Sequence, residues 1–234
     1  MISLKNLSIG YGKKIILDNL NLNLDKGELV SILGVNGSGK STLIKTIVGL
    51  NQPLGGEIII DGVNQKDLTS RDRAKKISYL SQSRNTPEIT ARKMVLHGRF
   101  PYLGYPRKYT DEDEKIADEA LKAVGAYELR NRSVATLSGG ERQRVYLAMA
   151  LAQQTDYVLM DEPTTYLDIK YQLEMTKLSQ KLAKEGKCVV SVTHDLHLAL
   201  KFSDRIIMFK DKKIFFDGKP ELVTDEMIEE CFFN

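Results

Sequence analysis

The chain has 234 residues, 42% of them hydrophobic and 28% charged, and a net charge of +3. Such a length buries a sizeable core in one domain, and such a composition excludes a disordered chain. The small net charge argues against nucleic acid as a partner. The two cysteines, Cys188 and Cys231, exclude a disulfide scaffold and fit a reducing compartment. The opening MISLKNLSIG lacks the pattern of a signal peptide, and no apolar run approaches the roughly 18 residues of a membrane span.

From the N-terminus, Leu20, Leu22 and Leu24 alternate with Asn19, Asn21 and Asn23, which predicts an antiparallel strand with one face in water. ELVSILG (28–34) is a near-continuous apolar run suited to a strand buried on both faces. A glycine-rich turn follows, and then Leu43, Ile44, Ile47 and Val48 recur at helical spacing. GEIIIDG (56–62) and KISYLSQ (76–82) read as further strands. From about Glu88 to Ala150 the pattern is helical. Within that stretch DEDEKIADEALKAVGA predicts one helix, acidic at its start, with Ile116, Ala120, Leu121 and Val124 on its apolar side. Strands return at DYVLMDE (156–162) and KCVVSVTH (187–194), with a helical stretch between them. Residues 205–218 predict a hairpin turning near Asp211 and Lys212. Buried strands alternating with helices specify an α/β fold with a parallel sheet. An antiparallel β portion lies near the N-terminus and a helical insertion sits in the middle.

GVNGSGKST (34–42) fits G-x-x-x-x-G-K-[ST] between a strand and a helix. Glycines let the backbone of Asn36, Gly37, Ser38 and Gly39 wrap a polyphosphate with N–H groups inward, up to Ser41 and Thr42. Lys40 supplies a charge for the β and γ phosphates, and the Ser41 hydroxyl is a Mg²⁺ ligand. YVLMDEP (157–163) ends an apolar strand in two acids. Following a phosphate loop, Asp161 suits the Mg²⁺ shell and Glu162 is placed to polarise a water. His194 ends its strand at the same sheet edge, and Gln82 ends another with an amide able to bridge metal and water. Tyr11 is either a platform for a nucleotide base or a plain strand tyrosine. LSGGERQR (137–144) raises a separate question. Ser138 and Glu141 fit a capping box, which alone describes a well-capped helix. Yet Ser138, Gly139, Gly140 and Glu141 also present free N–H groups and the positive end of a helix to an anion, although the phosphate loop lies far upstream.

Taken together, these motifs resemble the ATP-binding cassette of an ABC transporter across nearly the whole chain. The phosphate loop, Gln82, LSGGERQR, VLMDEP, TTYLD and THD follow that family's order and approximate spacing. The resemblance implies a P-loop NTPase with a RecA-like parallel sheet, an N-terminal antiparallel β subdomain and an inserted helical subdomain. The expected division is a nucleotide-binding core of residues 1–85 and 151–234 and a helical subdomain of residues 86–150. It further implies ATP hydrolysis with ATP and Mg²⁺ as cofactors. In the family two cassettes face head to tail, so the LSGGERQR segment, with Asp168 of the D-loop, would complete a partner's ATP site in trans. A homodimer with two shared sites is expected. Val35 and Thr165 depart from the family's usual residues without removing a phosphate or metal ligand.

The implied role is the peripheral ATPase subunit on the cytoplasmic face of a membrane. It would work with separate permease subunits and, indirectly, with an extracytoplasmic substrate-binding protein. The alternative is a soluble ABC ATPase working on nucleic acid or ribosomes; this chain has neither that class's paired cassettes nor its long coiled-coil insertion. VLHGRFPYLGYPRKYTDEDE and TTYLDI resemble importers of ferric siderophores, haem and vitamin B12, most closely the siderophore systems; metal-ion and amino-acid importers are the runner-up. The same stretch is expected to dock the permease through Met94, Leu96, Phe100, Tyr102, Leu103 and Tyr105, with Arg84, Arg92, Arg99 and Arg107 among them, unless these residues pack the subdomain.

Overall fold

The computed structural model describes residues 1–82, 86–165 and 167–233. In chain order its first half runs β1 (Ile2–Tyr11), β2 (Lys14–Leu24), β3 (Leu29–Gly34), α1 (Lys40–Ile47), β4 (Gly55–Ile60), β5 (Val63–Asn64), α2 (Ser70–Lys76), β6 (Ile77–Leu80), α3 (Ala91–Leu96) and α4 (Asp111–Ala123). The second half runs α5 (Gly139–Ala152), β7 (Tyr157–Asp161), α6 (Ile169–Lys184), β8 (Cys188–Val192), α7 (Leu196–Phe202), β9 (Arg205–Lys210), β10 (Lys213–Gly218) and α8 (Asp225–Phe233).

The strands form two sheets. One is antiparallel, in the order β2-β1-β4-β5. Its strand β2 alternates as the sequence predicts: Leu20, Leu22 and Leu24 are buried, and Asn19, Asn21 and Asn23 are exposed. The other has the order β10-β9-β3-β8-β7-β6 and is parallel from β9 to β6. Every residue of β3 and β7 is buried, which is why their sequences lack a polar alternation. The antiparallel edge strand β10 pairs with β9 through a turn whose Asp211 and Lys212 have φ of 47° and 64°. Two successive left-handed residues match the right-handed twist of the strands they join.

Helix α1 lies between the two sheets. Its Leu43, Ile44 and Ile47 share one core with Ile2, Leu4 and Ile9 of the antiparallel sheet and Val30, Ile32 and Val190 of the parallel one. A second core forms where α3, α4 and α5 pack on the opposite face of the parallel sheet, against Val158 and Met160. Helix α4 is the one predicted. Thr110 caps it in a box with Asp113, and Ile116, Ala120, Leu121 and Val124 are buried. Gly125, at φ 61°, turns the chain away after Val124. Both cysteines are buried, and burial pushes the Cys188 thiol up to about 12.

The stretch from α3 to α4 corrects part of the sequence reading. Leu96 is only 5% exposed and belongs to the helical core, and Leu103 is buried too. Arg92 is spent on Asp118 and Glu114 of α4. Arg99 is buried: its Nε donates to Asp113 Oδ1 at 2.9 Å, and one terminal nitrogen donates to the Ala152 carbonyl and to Gln154 Oε1. These residues hold the helical layer together. Pro101, inside a 3₁₀ turn spanning His97–Tyr102, removes the periodicity that would have revealed which side chains face inward. Phe100 and Tyr105 are exposed, and Arg107 stacks over the Phe100 ring. Arg84 lies outside the described residues.

Burial by itself would raise the Asp113 pKa, but the Thr110 amide and hydroxyl and the Arg99 guanidinium outweigh it and hold the carboxyl below its ordinary value. A carboxyl depressed in the folded state stabilises it above the unfolded pKa, about 3.9, and that contribution disappears as pH falls through the folded value. Arg99→Ala leaves the Asp113 carboxylate without its counter-charge, with only the Thr110 amide and hydroxyl donating to it. It is expected to cost about 3–5 kcal/mol at neutral pH and to flatten the acid limb of the stability curve. Urea unfolding between pH 3 and 7 measures both, and a loss below about 1 kcal/mol, the level of a surface pair, would show that the bridge is dispensable.

Candidate functional site

The carboxyl ends of β3, β6, β7 and β8 lie along one edge of the parallel sheet, where open α/β sheets bind ligands. The loop after β3 runs straight into α1. Gly39, the residue before α1, has φ 100°, and a Cβ there would lie 2.7 Å from Ile16 Cγ2 and 2.9 Å from Leu17 Cγ. Only glycine lets the loop turn so close to β2. Gly34 has φ 144°, and a Cβ there would meet the Phe209 carbonyl oxygen at 2.6 Å. The Lys40 ammonium is buried and donates to the Gly34 and Val35 carbonyls at 2.7 and 2.8 Å and to Ser38 Oγ at 3.3 Å. Burial lowers its pKa, and the Glu162 and Asp161 carboxylates oppose that shift. Asn36 and Gly37 form the exposed tip of the loop, and Thr42 is buried in the first turn of α1.

Ser41, one residue into α1, donates from its hydroxyl to Asp161 Oδ1 at 2.8 Å. Asp161 is 1% exposed at the end of β7. Burial raises its pKa, with the Ser41 hydroxyl and the Lys45 ammonium pulling the other way. The next residue, Glu162, has φ 49° and anchors its amide on the Val192 carbonyl. Its carboxylate gathers groups from three segments. Gln82 Nε2 donates to Oε2 at 2.7 Å, Thr165 Oγ1 donates to the same oxygen at 3.2 Å, and His194 Nε2 lies 3.0 Å from Oε1. Glu162, His194, Thr164 and Thr165 line an open cleft with Gln172 and Thr193. The structure thus brings together Lys40, Ser41 and Asp161 on one side and Glu162, Gln82 and His194 on the other. The Gln82 amide nitrogen goes to Glu162; among the described residues no hydrogen bond joins it to Ser41 or Asp161.

Thr165, which the sequence marks only as a departure from the family's usual residue, and Tyr79 also belong to the site. Tyr79 donates to Asp161 Oδ2 at 3.5 Å. A threonine three residues after an acid carries no pattern of its own. A tyrosine inside an apolar strand is indistinguishable from core until its hydroxyl is seen.

Tyr11 ends β1 with half of its surface exposed, and its hydroxyl accepts from Asn51 Nδ2 at 3.4 Å. Hydrogen bonding to Thr42, in the first turn of α1, and to Asn51 lowers its pKa. The ring therefore stands beside the phosphate loop. The segment 137–144 begins α5 with the capping box read from sequence. Glu141 N–H donates to Ser138 Oγ at 3.3 Å, and Ser138 N–H donates to Glu141 Oε2 at 2.9 Å. That backbone bond is the first cause of a lowered Glu141 pKa, and Arg132 pairs with the other oxygen at 3.1 Å. Ser138 and Gly139 are exposed. Asp168 is exposed and caps α6 through the Tyr171 N–H at 3.0 Å. Ile169 beside it is 83% exposed. Tyr166 lies outside the described residues.

A family model described as "ABC transporter" matches residues 17–165. The chain is 41% identical over 234 residues to the "Probable siderophore transport system ATP-binding protein YusV" of Bacillus subtilis, covering 99% of this chain and 85% of that protein. It is 38% identical to the "Ferric enterobactin transport ATP-binding protein FepC" of Escherichia coli over 97% of this chain and 85% of that protein. Among solved structures it is similar to a dimeric post-hydrolysis state of the ATP-binding cassette MJ0796 bound to ADP and Pi. The TM-score is 0.84 at 38% identity, covering 94% of this chain and 99% of that one.

Proposed function

The chain belongs to the ABC transporter family, and on that premise we propose that it is the ATP-hydrolysing subunit of an importer. The observation that carries the chemistry is the Glu162 carboxylate, held by Gln82, Thr165 and His194 beside the Lys40 loop. In this reading Lys40 and the N–H groups of residues 36–42 bind the polyphosphate. Glu162 takes the proton of the attacking water, while Gln82 and His194 fix that carboxylate and neighbour the reacting phosphate. Ser41 and Asp161 present a hydroxyl and a carboxylate 2.8 Å apart. Among the described residues no cluster of three His, Cys, Asp or Glu side chains is disposed to hold a metal on its own. That set fits Mg²⁺, which is held by few protein oxygens together with phosphate and water. When bound, it would neutralise developing charge on the phosphates.

We place the first turn of α5 (Ser138, Gly139, Gly140, Glu141) and Asp168 in the site of a second copy. Ser138 and Gly139 are exposed at the start of α5, where its free N–H groups can meet an anion, and dimerisation is supported by the dimeric cassette of similar fold. Residues 86–150 are the proposed helical subdomain, on a nucleotide-binding core of residues 1–85 and 151–234. No described helix is long and apolar enough to cross a membrane. Separate permease subunits would therefore supply the pathway, with the cassette docked on them at the cytoplasmic face and an extracytoplasmic binding protein delivering cargo. The exposed Phe100, Tyr102 and Tyr105, with Arg107 over the Phe100 ring, are the proposed contact with the permease; Met94 packs against the helical core. An iron–siderophore complex is the proposed cargo, on the names of the similar proteins.

The transport reading is tested with Phe100→Asp in cells dependent on this system. The variant should abolish ferric-siderophore uptake while the isolated cassette stays folded and hydrolyses ATP. Normal siderophore-dependent growth in cells deleted for this chain, with no redundant cassette, would overturn the cargo. Tyr11→Ala should weaken ATP and GTP alike by about fivefold or more, because base–aromatic stacking is worth about 1–3 kcal/mol and tolerates any base. Unchanged affinity in a fluorescent-nucleotide titration returns Tyr11 to a strand tyrosine.

A further inference from the structure

Helix α5 has contacts on the phosphate edge that its N-terminus does not explain. One turn beyond Ser138, the partly buried Gln143 sends its amide Nε2 across to the Pro163 carbonyl oxygen. Because a carbonyl only accepts, the nitrogen of the amide is the group that faces it. Pro163 is the residue after Glu162, and with no N–H it offers the chain only that carbonyl as a hydrogen-bonding handle. One turn earlier on the same helix, Gly140 sits against Leu167; a Cβ there would lie 3.5 Å from Leu167 Cδ2. The first two turns of α5 therefore touch both ends of the segment 163–167. That segment leads from Glu162 to Asp168. Glu162 itself is held in the left-handed region at φ 49°, which a non-glycine residue keeps only where its surroundings fix it. Its amide is fixed on the Val192 carbonyl from one side. Gln143 fixes the carbonyl of the next residue, Pro163, from the other.

We infer that Gln143 is a positioning residue, which couples the helix that caps a neighbour's phosphate to the base of its own chain. This rests on the shared-site reading above. A phosphate drawn to the N-terminus of α5 belongs to the partner's nucleotide, and α5 is joined through Gln143 to the carbonyl of Pro163, the residue that follows Glu162. Occupancy of one site then biases the geometry of the base in the other. Coupling of this kind appears as cooperativity in ATP concentration, with a Hill coefficient above 1 and bounded by the two sites. The contact of Gln143 is with the Pro163 carbonyl, so its loss is expected to leave affinity in place and to lower the rate of the chemical step.

The experiment measures ATP turnover and nucleotide affinity of the full chain as the parent, Gln143→Leu and Gln143→Lys. ATP-driven association is followed by light scattering in a Glu162→Gln background. Gln143→Leu keeps the bulk and removes the donor. It is expected to lower kcat about tenfold, since small misplacements of a reacting group are costly, to change ATP affinity by less than about twofold, and to bring the Hill coefficient to about 1. Association with ATP persists. Gln143→Lys, which restores a donor to the Pro163 carbonyl, should recover most of the rate and the cooperativity. Parent-like kcat and cooperativity in folded Gln143→Leu overturn the role. So does a folded Gln143→Lys as impaired as the leucine variant, which would make the residue one of bulk packing. A parent that hydrolyses ATP, with no ATP-driven association in the Glu162→Gln background, overturns the shared-site reading instead, and the coupling with it.

Discussion

Glu162→Gln is expected to lower ATP turnover by about 10²–10⁴-fold, the contribution of a general base, while ATP continues to bind. The reason lies in what the substitution leaves alone. The side chain keeps its length, so the Thr165 hydroxyl and the Gln82 amide can still donate to one oxygen of the new amide. His194 Nε2, on the other side, can turn from donor to acceptor by changing tautomer. What disappears is the negative charge that takes a proton from water. ATP then persists, and two chains each holding it should stay associated. The expected sign is an ATP-dependent doubling of mass by light scattering with phosphate release near background. Near-normal hydrolysis by the variant would remove Glu162 from the role.

Lys40→Ala should have a comparable effect by another route, through binding. The ammonium sits on the Gly34 and Val35 carbonyls at the mouth of the loop, within reach of whatever those carbonyls border. Two charge-assisted bonds to phosphate oxygens at about 1.5 kcal/mol each amount to about 3 kcal/mol, roughly a hundredfold in Kd. Stability should change little. Burial lowers the Lys40 pKa, so the folded state tolerates the charge less well than the unfolded chain does, and alanine removes that cost. A melting temperature within about 4 °C of the parent is expected. Calorimetric titration of ATP into the variant checks the affinity. A Kd within threefold of the parent would place the phosphate grip elsewhere.

The phosphate edge could be read from sequence because its residues follow apolar strands immediately, and a strand's end fixes where the next side chain lies. Lys40, Asp161, Glu162 and His194 all sit within two residues of a strand or open a helix after one. The hairpin at Asp211 and Lys212 was legible for a similar reason: two polar residues separate runs that cannot both stay in water. The stretch from Leu96 to Tyr105 was not. Its aromatic and arginine residues follow no period across Pro101, and composition alone could not tell an arginine that meets a partner from Arg99, which closes the interior on Asp113. Neither Thr165 nor Gln143 carries a pattern that marks its role, because each acts on a group that is near in space rather than in sequence motif. Gln143 meets a backbone carbonyl, which leaves no complementary residue type in the sequence to betray it. The capping box at Ser138 was visible, yet its geometry serves a lone helix and a shared anion site equally well.

The two buried cysteines make the chain convenient for reporter chemistry. Alkylating reagents attack thiolates, and Cys188, shielded in a central strand with its pKa pushed up to about 12, carries almost none at neutral pH. Cys231 is enclosed beneath the Phe209 carbonyl, and burial raises its pKa as well. Toward maleimides the folded chain therefore behaves as a background without cysteine. A single cysteine introduced at the solvent-facing Ile169 or Tyr105 would take a fluorophore or spin label alone, and distances between two such labels would report the approach of one copy to another as nucleotide is added.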